Sequence, residues 1–284
     1  MNETDFRKID KCPWCKSDKG EVLYHGEYDS KAIKCRMCGF VYSDKILNEQ
    51  GIPKYWNNYT NTIHLAEKRK NESREQMYEI EYNWISRFLD CKSKKILDIG
   101  CSRGQFLEHF KNFNDCFGIE LDSVAAQMAK DKGFHIYVGD VGNYKAEDKY
   151  DLIICRGVIQ YFLDPHKNMD DICKLLNKNG YIYIYMVNIE CICSRIFKDK
   201  FSLPIKVTDY WGYSEELLLD YFANKGIALV GKRDYYEDTP YENGEEDAKI
   251  VYQAYIDRQN GRTIDYQSPS FYGSMLGMMF KKME

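Results

Sequence analysis

From Lys95 onward, short apolar runs alternate with amphipathic stretches, and this alternation narrows the possible folds more than any other feature of the chain. KKILDIG, CFGIEL, FHIYVGD, YDLIICRG and YIYIYMV have the length and apolar content of buried strands, while GQFLEHFKNF, DSVAAQMAKDKG and HKNMDDICKLLNKNG between them have helical spacing. Strands alternating with crossover helices predict a parallel sheet with helices on both faces. Further on, SEELLLDYFANKG reads as a helix ended by Gly226, and IALVGKRDYY and MLGMMFKK as two more strands. EEDAKIVYQAYIDRQ reads as an inserted helix within an acidic segment at about 234–270, whose run from Asp234 to Asp247 has no Lys or Arg and reads as a solvated loop. Ahead of the alternation, a helix is expected from about Leu65 to Asp90, with Met77, Ile80, Trp84 and Phe88 on its apolar face and charges on the other. Residues 46–63 read as a connector broken at Gly51-Ile52-Pro53. The chain therefore divides into 1–45, a connector and helix over 46–94, and a main domain over 95–284.

Charge and apolar content exclude several classes of protein. The net charge is −4, so no global basic field gathers nucleic acid or anionic lipid. No apolar run approaches the ~18–20 residues of a membrane span. MNETDFRKIDKC lacks the apolar centre of a secretory signal, so the expected location is the cytoplasm. Eleven cysteines cannot all pair internally, and Cys91, Cys101, Cys116, Cys155, Cys173, Cys191 and Cys193 are scattered among apolar stretches as small buried hydrophobes are.

The other four stand in pairs. Cys12-Pro13-Trp14-Cys15 and Cys35-Arg36-Met37-Cys38 are separated by nineteen residues. Two cysteines three apart can turn both thiolates to one centre, and two such knuckles complete a closed tetrahedral site suited to zinc. Gly39 follows the second knuckle, where a permissive backbone is useful. Through Lys45 the ribbon carries nine Lys and Arg against eight acids, too even a balance for a surface that grips phosphates. Its expected role is structural, with a share in covering the cleft.

Ile96-Leu97-Asp98-Ile99-Gly100-Cys101-Ser102-Arg103-Gly104 is a buried strand running into a glycine-bearing turn and then a helix. A dinucleotide fingerprint requires glycines at 100, 102 and 105, but Ser102 and Gln105 occupy two of those positions. The segment instead resembles motif I of class I S-adenosylmethionine-dependent methyltransferases, D/E-x-G-x-G-x-G, matched at Asp98, Gly100 and Gly104 and departing from it at Ser102. The resemblance continues through Glu120 at the end of the second strand, Asp140 after the third, and Tyr150–Cys155 as the fourth, with Arg156 just beyond. It covers roughly Lys95 to Val230. It implies a Rossmann-like, doubly wound, mostly parallel seven-stranded sheet with a small N-terminal zinc ribbon. It also implies an S-adenosylmethionine site made by Asp98, Gly100, Cys101, Gly104, Gln105, Glu120, Leu121, Asp140, Val141 and Arg156. In that site Asp98 serves the ammonium end, Glu120 both ribose hydroxyls and Asp140 the adenine amino group. Without the cofactor, Glu120 would cap a helix and Asp140 would make a turn.

Ribbon plus methyltransferase domain looks like a set of bacterial enzymes that methylate sugars, glycan precursors or natural products. Relatives carry a histidine after the fourth strand where this chain has Tyr161, in Gln160-Tyr161-Phe162-Leu163-Asp164-Pro165-His166. An unperturbed tyrosine, with a pKa of ~10, is a poor base at neutral pH. Tyr161, Asn188, Asp209 and Tyr210 are the candidates for contact with the acceptor, and Tyr55, Trp56, Tyr161, Tyr210 and Trp211 for an aromatic cleft. His109 and His166 read as structural. The expected acceptor is a small molecule or saccharide-like compound, methylated on oxygen or nitrogen, with neither nucleic acid nor membrane as partner. Two alternatives remain: an RNA methyltransferase, marked by a basic face from ribbon to cleft, and an assembly protein with a vestigial cofactor site.

Overall fold

A computed structural model describes residues 1–59, 68–146 and 148–283. The N-terminal part begins with β1 (Phe6–Lys8), β2 (Gly20–His25), β3 (Lys31–Cys35), β4 (Val41–Ser43) and β5 (Lys45–Leu47), of which β1 and β5 pair antiparallel. Two helices follow, α1 (Gly51–Tyr59) and α2 (Lys68–Ile85). Gly51-Ile52-Pro53 therefore opens a helix rather than breaking a connector. Asn48 Oδ1 accepts from the amides of Gln50 and Gly51, and a proline in the first turn lacks only an N–H that has no helical partner there. The expected helix from Leu65 is seen from Lys68; residues 65–67 lie outside the described residues.

The main sheet contains β6 (Lys95–Ile99), β7 (Asp115–Glu120), β8 (His135–Val138), β9 (Tyr150–Arg156), β10 (Leu176–Val187), β12 (Ile227–Asp234) and β13 (Met275–Lys282). Its order is β12-β13-β10-β9-β6-β7-β8, with only β13 running against its neighbours. The alternation of β10 divides its side chains between two cores. Ile182, Ile184 and Met186 enter one face, and Tyr183 and Tyr185 the other. Helices α3 (Ser123–Asp131), α4 (Pro165–Leu175) and α6 (Glu215–Ala223) start at side-chain caps: Asp122, Asp164 and Ser214 each accept from amides of the following first turn. This is the seven-stranded, mostly parallel Rossmann-like arrangement that the alternation and the resemblance imply.

Three local expectations change. GQFLEHFKNF is not an α-helix. It makes turns and a 3-10 helix at Leu107–His109, bonded mainly from residue i to i−3, while Phe106, Leu107 and Phe110 are driven into the core. The charges of α2 do not all face outward, since Glu81 is fully buried. The acidic stretch from Asp234 is not wholly solvated: Asp247, at the start of α7 (Glu245–Gln259), is buried and accepts from the Tyr236 hydroxyl and the Asn243 amide. The stretch packs instead on α5 (Ile192–Phe197), where Val251 and Ala254 meet Cys193 and Phe197.

The ribbon does not end at its own strands. β2, β3 and β4 form a sheet completed by β11 (Trp211–Gly212), which the main domain supplies from just before α6. Phe40, Tyr42, Trp14 and Ile46 enter the same core as Trp211, Tyr213 and Leu218. Among the described residues no helix is long and apolar enough to cross a membrane.

Candidate functional site

One pocket opens beyond the carboxyl ends of β6, β7, β8 and β9, where a parallel sheet leaves a crevice beside its switch point. Asp98, Gly100, Cys101, Glu120, Leu121, Asp140, Val141 and Arg156 line it. Gly104 and Gln105 do not. A Cβ on Gly104 would sit 2.7 Å from the Phe134 ring, so this glycine serves close packing of the loop. The Gln105 amide turns away to Glu75 and Arg103.

Asp98 is the penultimate residue of β6 and 3% exposed. Among the described residues its Oδ1 has no hydrogen-bond partner, and burial pushes its carboxyl up to about 8 against the pull of Arg156. Gly100 has φ +74°, and a Cβ there would lie 2.8 Å from a Val158 methyl. Ser102, where motif I has its middle glycine, also adopts positive φ, +49°. Its amide donates to Glu120 Oε2 at 2.8 Å, while Oε1 accepts from Asp122 at the same distance. Glu120 thus ties two loops together rather than capping α3, which Asp122 does. Burial raises its carboxyl and these amides oppose that rise. Asp140 makes a turn, accepting from Gly142, and also borders the pocket.

Helix α2 supplies residues that the sequence reading did not assign. Arg74 and Tyr78 line the pocket, and Glu81 lies behind them, bonded to Arg156 at 2.7 and 3.0 Å. Positions 74, 78, 81 and 85 form one helical stripe, and that spacing was the available signal. The Arg156 guanidinium lies between the Tyr78 and Tyr185 rings at 4.7 and 4.8 Å. Burial pulls it down most strongly, but Glu81 together with Tyr78 and Tyr185 more than offsets burial and keeps it charged.

At the other end, Trp56 from α1 meets Tyr161 edge-on at 4.9 Å, and both line the pocket with Phe162. The Tyr161 hydroxyl donates to Asp209 Oδ1 at 2.7 Å, and Asp209 also takes Thr208 Oγ1 and Lys206 Nζ. Tyr210 and Trp211 are buried beneath rather than in the wall. Asn188 stands apart, its side chain accepting from the Glu190 amide. His166 packs edge-on against Trp14, and His109 against Tyr78.

The four ribbon cysteines converge, with all sulfurs within 4.8 Å of one another, Cys12–Cys38 at 3.7 Å and Cys15–Cys35 at 3.5 Å. A tetrahedral zinc with Zn–S of about 2.3 Å separates its sulfurs by about 3.8 Å, so this donor set fits zinc.

Residues 72–236 match the family described as methyltransferase domain. Among curated proteins, the chain is 30% identical over 123 residues to a tRNA U34 carboxymethyltransferase of Campylobacter jejuni subsp. doylei, covering 39% of this chain and 42% of that protein. It is 25% identical over 116 residues to the protein of that name from Campylobacter fetus, covering 37% and 40%. The chain thus spans about two-fifths of the length of the curated relatives it matches. Among solved structures, it resembles a Haloferax volcanii methyltransferase in complex with the Trm112 methyltransferase activator (TM-score 0.59, 15% identity, 81% of this chain and 98% of that one). It also resembles an S-adenosylmethionine-dependent methyltransferase of Thermotoga maritima (0.54, 15%, 81% and 99%). A third likeness is to magnesium protoporphyrin IX methyltransferase of Synechocystis with bound S-adenosylhomocysteine (0.53, 10%, 80% and 97%). At these identities the structural likenesses speak for the fold.

Proposed function

The chain belongs to the methyltransferase domain family, as a class I S-adenosylmethionine-dependent enzyme, and from that premise we propose that it methylates oxygen or nitrogen of a small or saccharide-like acceptor held against the wall that Trp56 and Tyr161 form together. One observation carries the cofactor assignment: Asp98, Glu120 and Asp140, at or just beyond the ends of three adjacent parallel strands, line the same pocket. The unpartnered Asp98 Oδ1 fits an ammonium group. The Glu120 oxygens, each already taking one amide, have lone pairs left for a ribose diol. Leu121, Asp140 and Val141 would border the adenine, and Arg156, fixed by Glu81, would face the carboxylate with the Gly100–Cys101 backbone. Gly104 and Gln105 would support the loop from behind. Bound S-adenosylmethionine supplies a sulfonium-activated methyl group, so the protein's task is alignment. Tyr161, held by Asp209, would orient the acceptor's attacking atom, and Trp56 offers it a flat apolar wall. Zinc would occupy the four cysteines as a closed structural site.

Transfer to RNA is a second reading, favoured by the name that the curated relatives carry, tRNA U34 carboxymethyltransferase. The net charge of −4 and the balanced ribbon favour the small acceptor.

Calorimetry with S-adenosylhomocysteine tests the cofactor assignment. Glu120→Ala is expected to weaken binding by about 1.5–3 kcal/mol, the worth of charge-assisted hydrogen bonds, and unchanged affinity would overturn it. Transfer of labelled methyl to sugar nucleotides, small amines and phenols, set beside bulk tRNA, separates the two acceptor readings. Labelling of tRNA with a steep salt dependence decides for the second.

A further inference from the structure

Residues 209–213 join the cysteine centre to the pocket, beside the direct contacts of Arg7 with the Leu163 carbonyl and of Trp14 with His166. Trp14 sits inside the first cysteine knuckle and Phe40 lies two residues after the second, with their rings stacked at 5.5 Å. Both meet Tyr213, at 5.8 and 5.1 Å, and Phe40 also meets Trp211. The backbone continues this contact: Tyr42 of β4 pairs with Trp211 and Val41 with Gly212, and the Ser43 amide donates to the Tyr210 carbonyl. From its other side the same segment holds the turn that carries Tyr161. The Tyr210 amide donates to the Gln160 carbonyl at 3.2 Å, Trp211 Nε1 to the Phe162 carbonyl, and the Tyr213 hydroxyl to the Ile159 carbonyl at 3.2 Å. Asp209 completes the set by accepting from Tyr161. Trp211 and Tyr213 are at most 2% exposed, so the bonds they make to the Phe162 and Ile159 carbonyls are shielded from water.

We propose that the four-cysteine ribbon is the positioning element of the acceptor end, acting through Trp211 and Tyr213 as positioning residues, while the cofactor end is set independently by the parallel strands. The physical reason is the length of the joint. β4 has three residues and β11 two, too few to hold a ladder without the aromatic platform that the closed knuckles support. Opening the knuckles removes that platform, because ligation and local folding are one equilibrium in such sites. Calling residues 159–162 the acceptor end rests on the function proposed above; their attachment to the ribbon does not.

The test uses the full chain, first shown by elemental analysis to carry zinc, before and after reversible chelation, together with Trp211→Phe, which keeps a ring but deletes the donor to Phe162. Amide exchange by mass spectrometry and calorimetry with S-adenosylhomocysteine are the readouts. On chelation, exchange over 157–164 and 207–214 is expected to rise by about tenfold or more, while 96–104 and 117–122 keep their protection and affinity stays within about threefold. Trp211→Phe is expected to give a smaller rise, about fivefold and confined to 159–162, the worth of one hydrogen bond. Zinc return should restore protection. Unchanged exchange over 157–164, or a rise shared equally by 96–104 with loss of cofactor affinity, overturns the proposal. If exchange behaves as expected but Tyr161→Phe leaves methyl transfer untouched, the positioning role stands and the acceptor reading falls.

Discussion

At one end of the pocket, Asp98, Glu120 and Asp140 sit at or just beyond the ends of neighbouring parallel strands, so the ladder that aligns the strands also aligns the carboxylates. At the other end, Trp56 comes from α1, Tyr161 from the turn after β9, and Asp209 from the approach to a strand that belongs to the ribbon's sheet. The first end is an array in which each group depends on its own strand. The second is an assembly from three distant parts of the chain, and its geometry depends on all of them. Substitutions at the cofactor end should therefore act on cofactor affinity alone. Those at the acceptor end should leave that affinity intact and change transfer.

The largest effect that would sharpen this contrast is at Gly100. Alanine there would combine a left-handed backbone at φ +74° with a methyl 2.8 Å from Val158. S-adenosylhomocysteine affinity, measured by calorimetry, is expected to fall by roughly thirtyfold to a hundredfold, the scale of such backbone strain. Circular dichroism should show the sheet intact. A loss below threefold would mean that the loop adapts, and that the cofactor end is less rigid than its ladder implies.

A graded effect of pH is expected from Asp98. Its carboxyl lies at about 8, raised by burial, so in the cofactor-free protein the contribution of Asp98 to stability is complete below its unfolded value and lost as pH rises through about 8. A cationic partner reverses the preference by favouring the carboxylate. Affinity for S-adenosylhomocysteine should accordingly rise with pH below that midpoint, by at most about tenfold per unit, with proton release near neutral pH. Calorimetry in buffers of different ionisation enthalpy measures both. Asp98→Asn should abolish the proton release, and a slope that survives it would assign the titration elsewhere.

The smallest effect is expected at Tyr161. Phenylalanine there removes one hydroxyl from the acceptor wall, so turnover is expected to fall by roughly threefold to tenfold, the net worth of one hydrogen bond. S-adenosylhomocysteine affinity should stay within about twofold. A parallel loss of cofactor affinity would break the division between the two ends.

Legibility in the sequence follows the same division. Asp98, Gly100, Glu120 and Asp140 could be found because each stands at or just past the end of an apolar run, a local pattern that needs no partner to be recognised. The cysteine pairs were legible for the same reason. Glu81 was not: one of four glutamates on an amphipathic helix looks solvated until Arg156, 75 residues on, is placed against it. Gly51-Ile52-Pro53 misled because proline punctuates a helix at its start as readily as it breaks one, and the Asn48 cap decides which. Asn188 and Tyr210 follow β10 and precede α6 in the chain, but a bridge to Tyr213 draws the first aside and burial removes the second.

By itself, then, the sequence determined the order of strands and the crossover helices after the first, the acids and glycines at the strand ends, and the four-cysteine centre, since periodicity and spacing are written within a few residues of each. Only the tertiary structure decided that the ribbon's sheet closes on Trp211, that Arg156 is held by Glu81, and which aromatics face the pocket. Strand β11 is two residues long, and its partner β4 lies about 170 positions earlier. So short a ladder has no signature of its own, and it exists because the burial of Phe40, Trp14 and Tyr213 draws its two strands together.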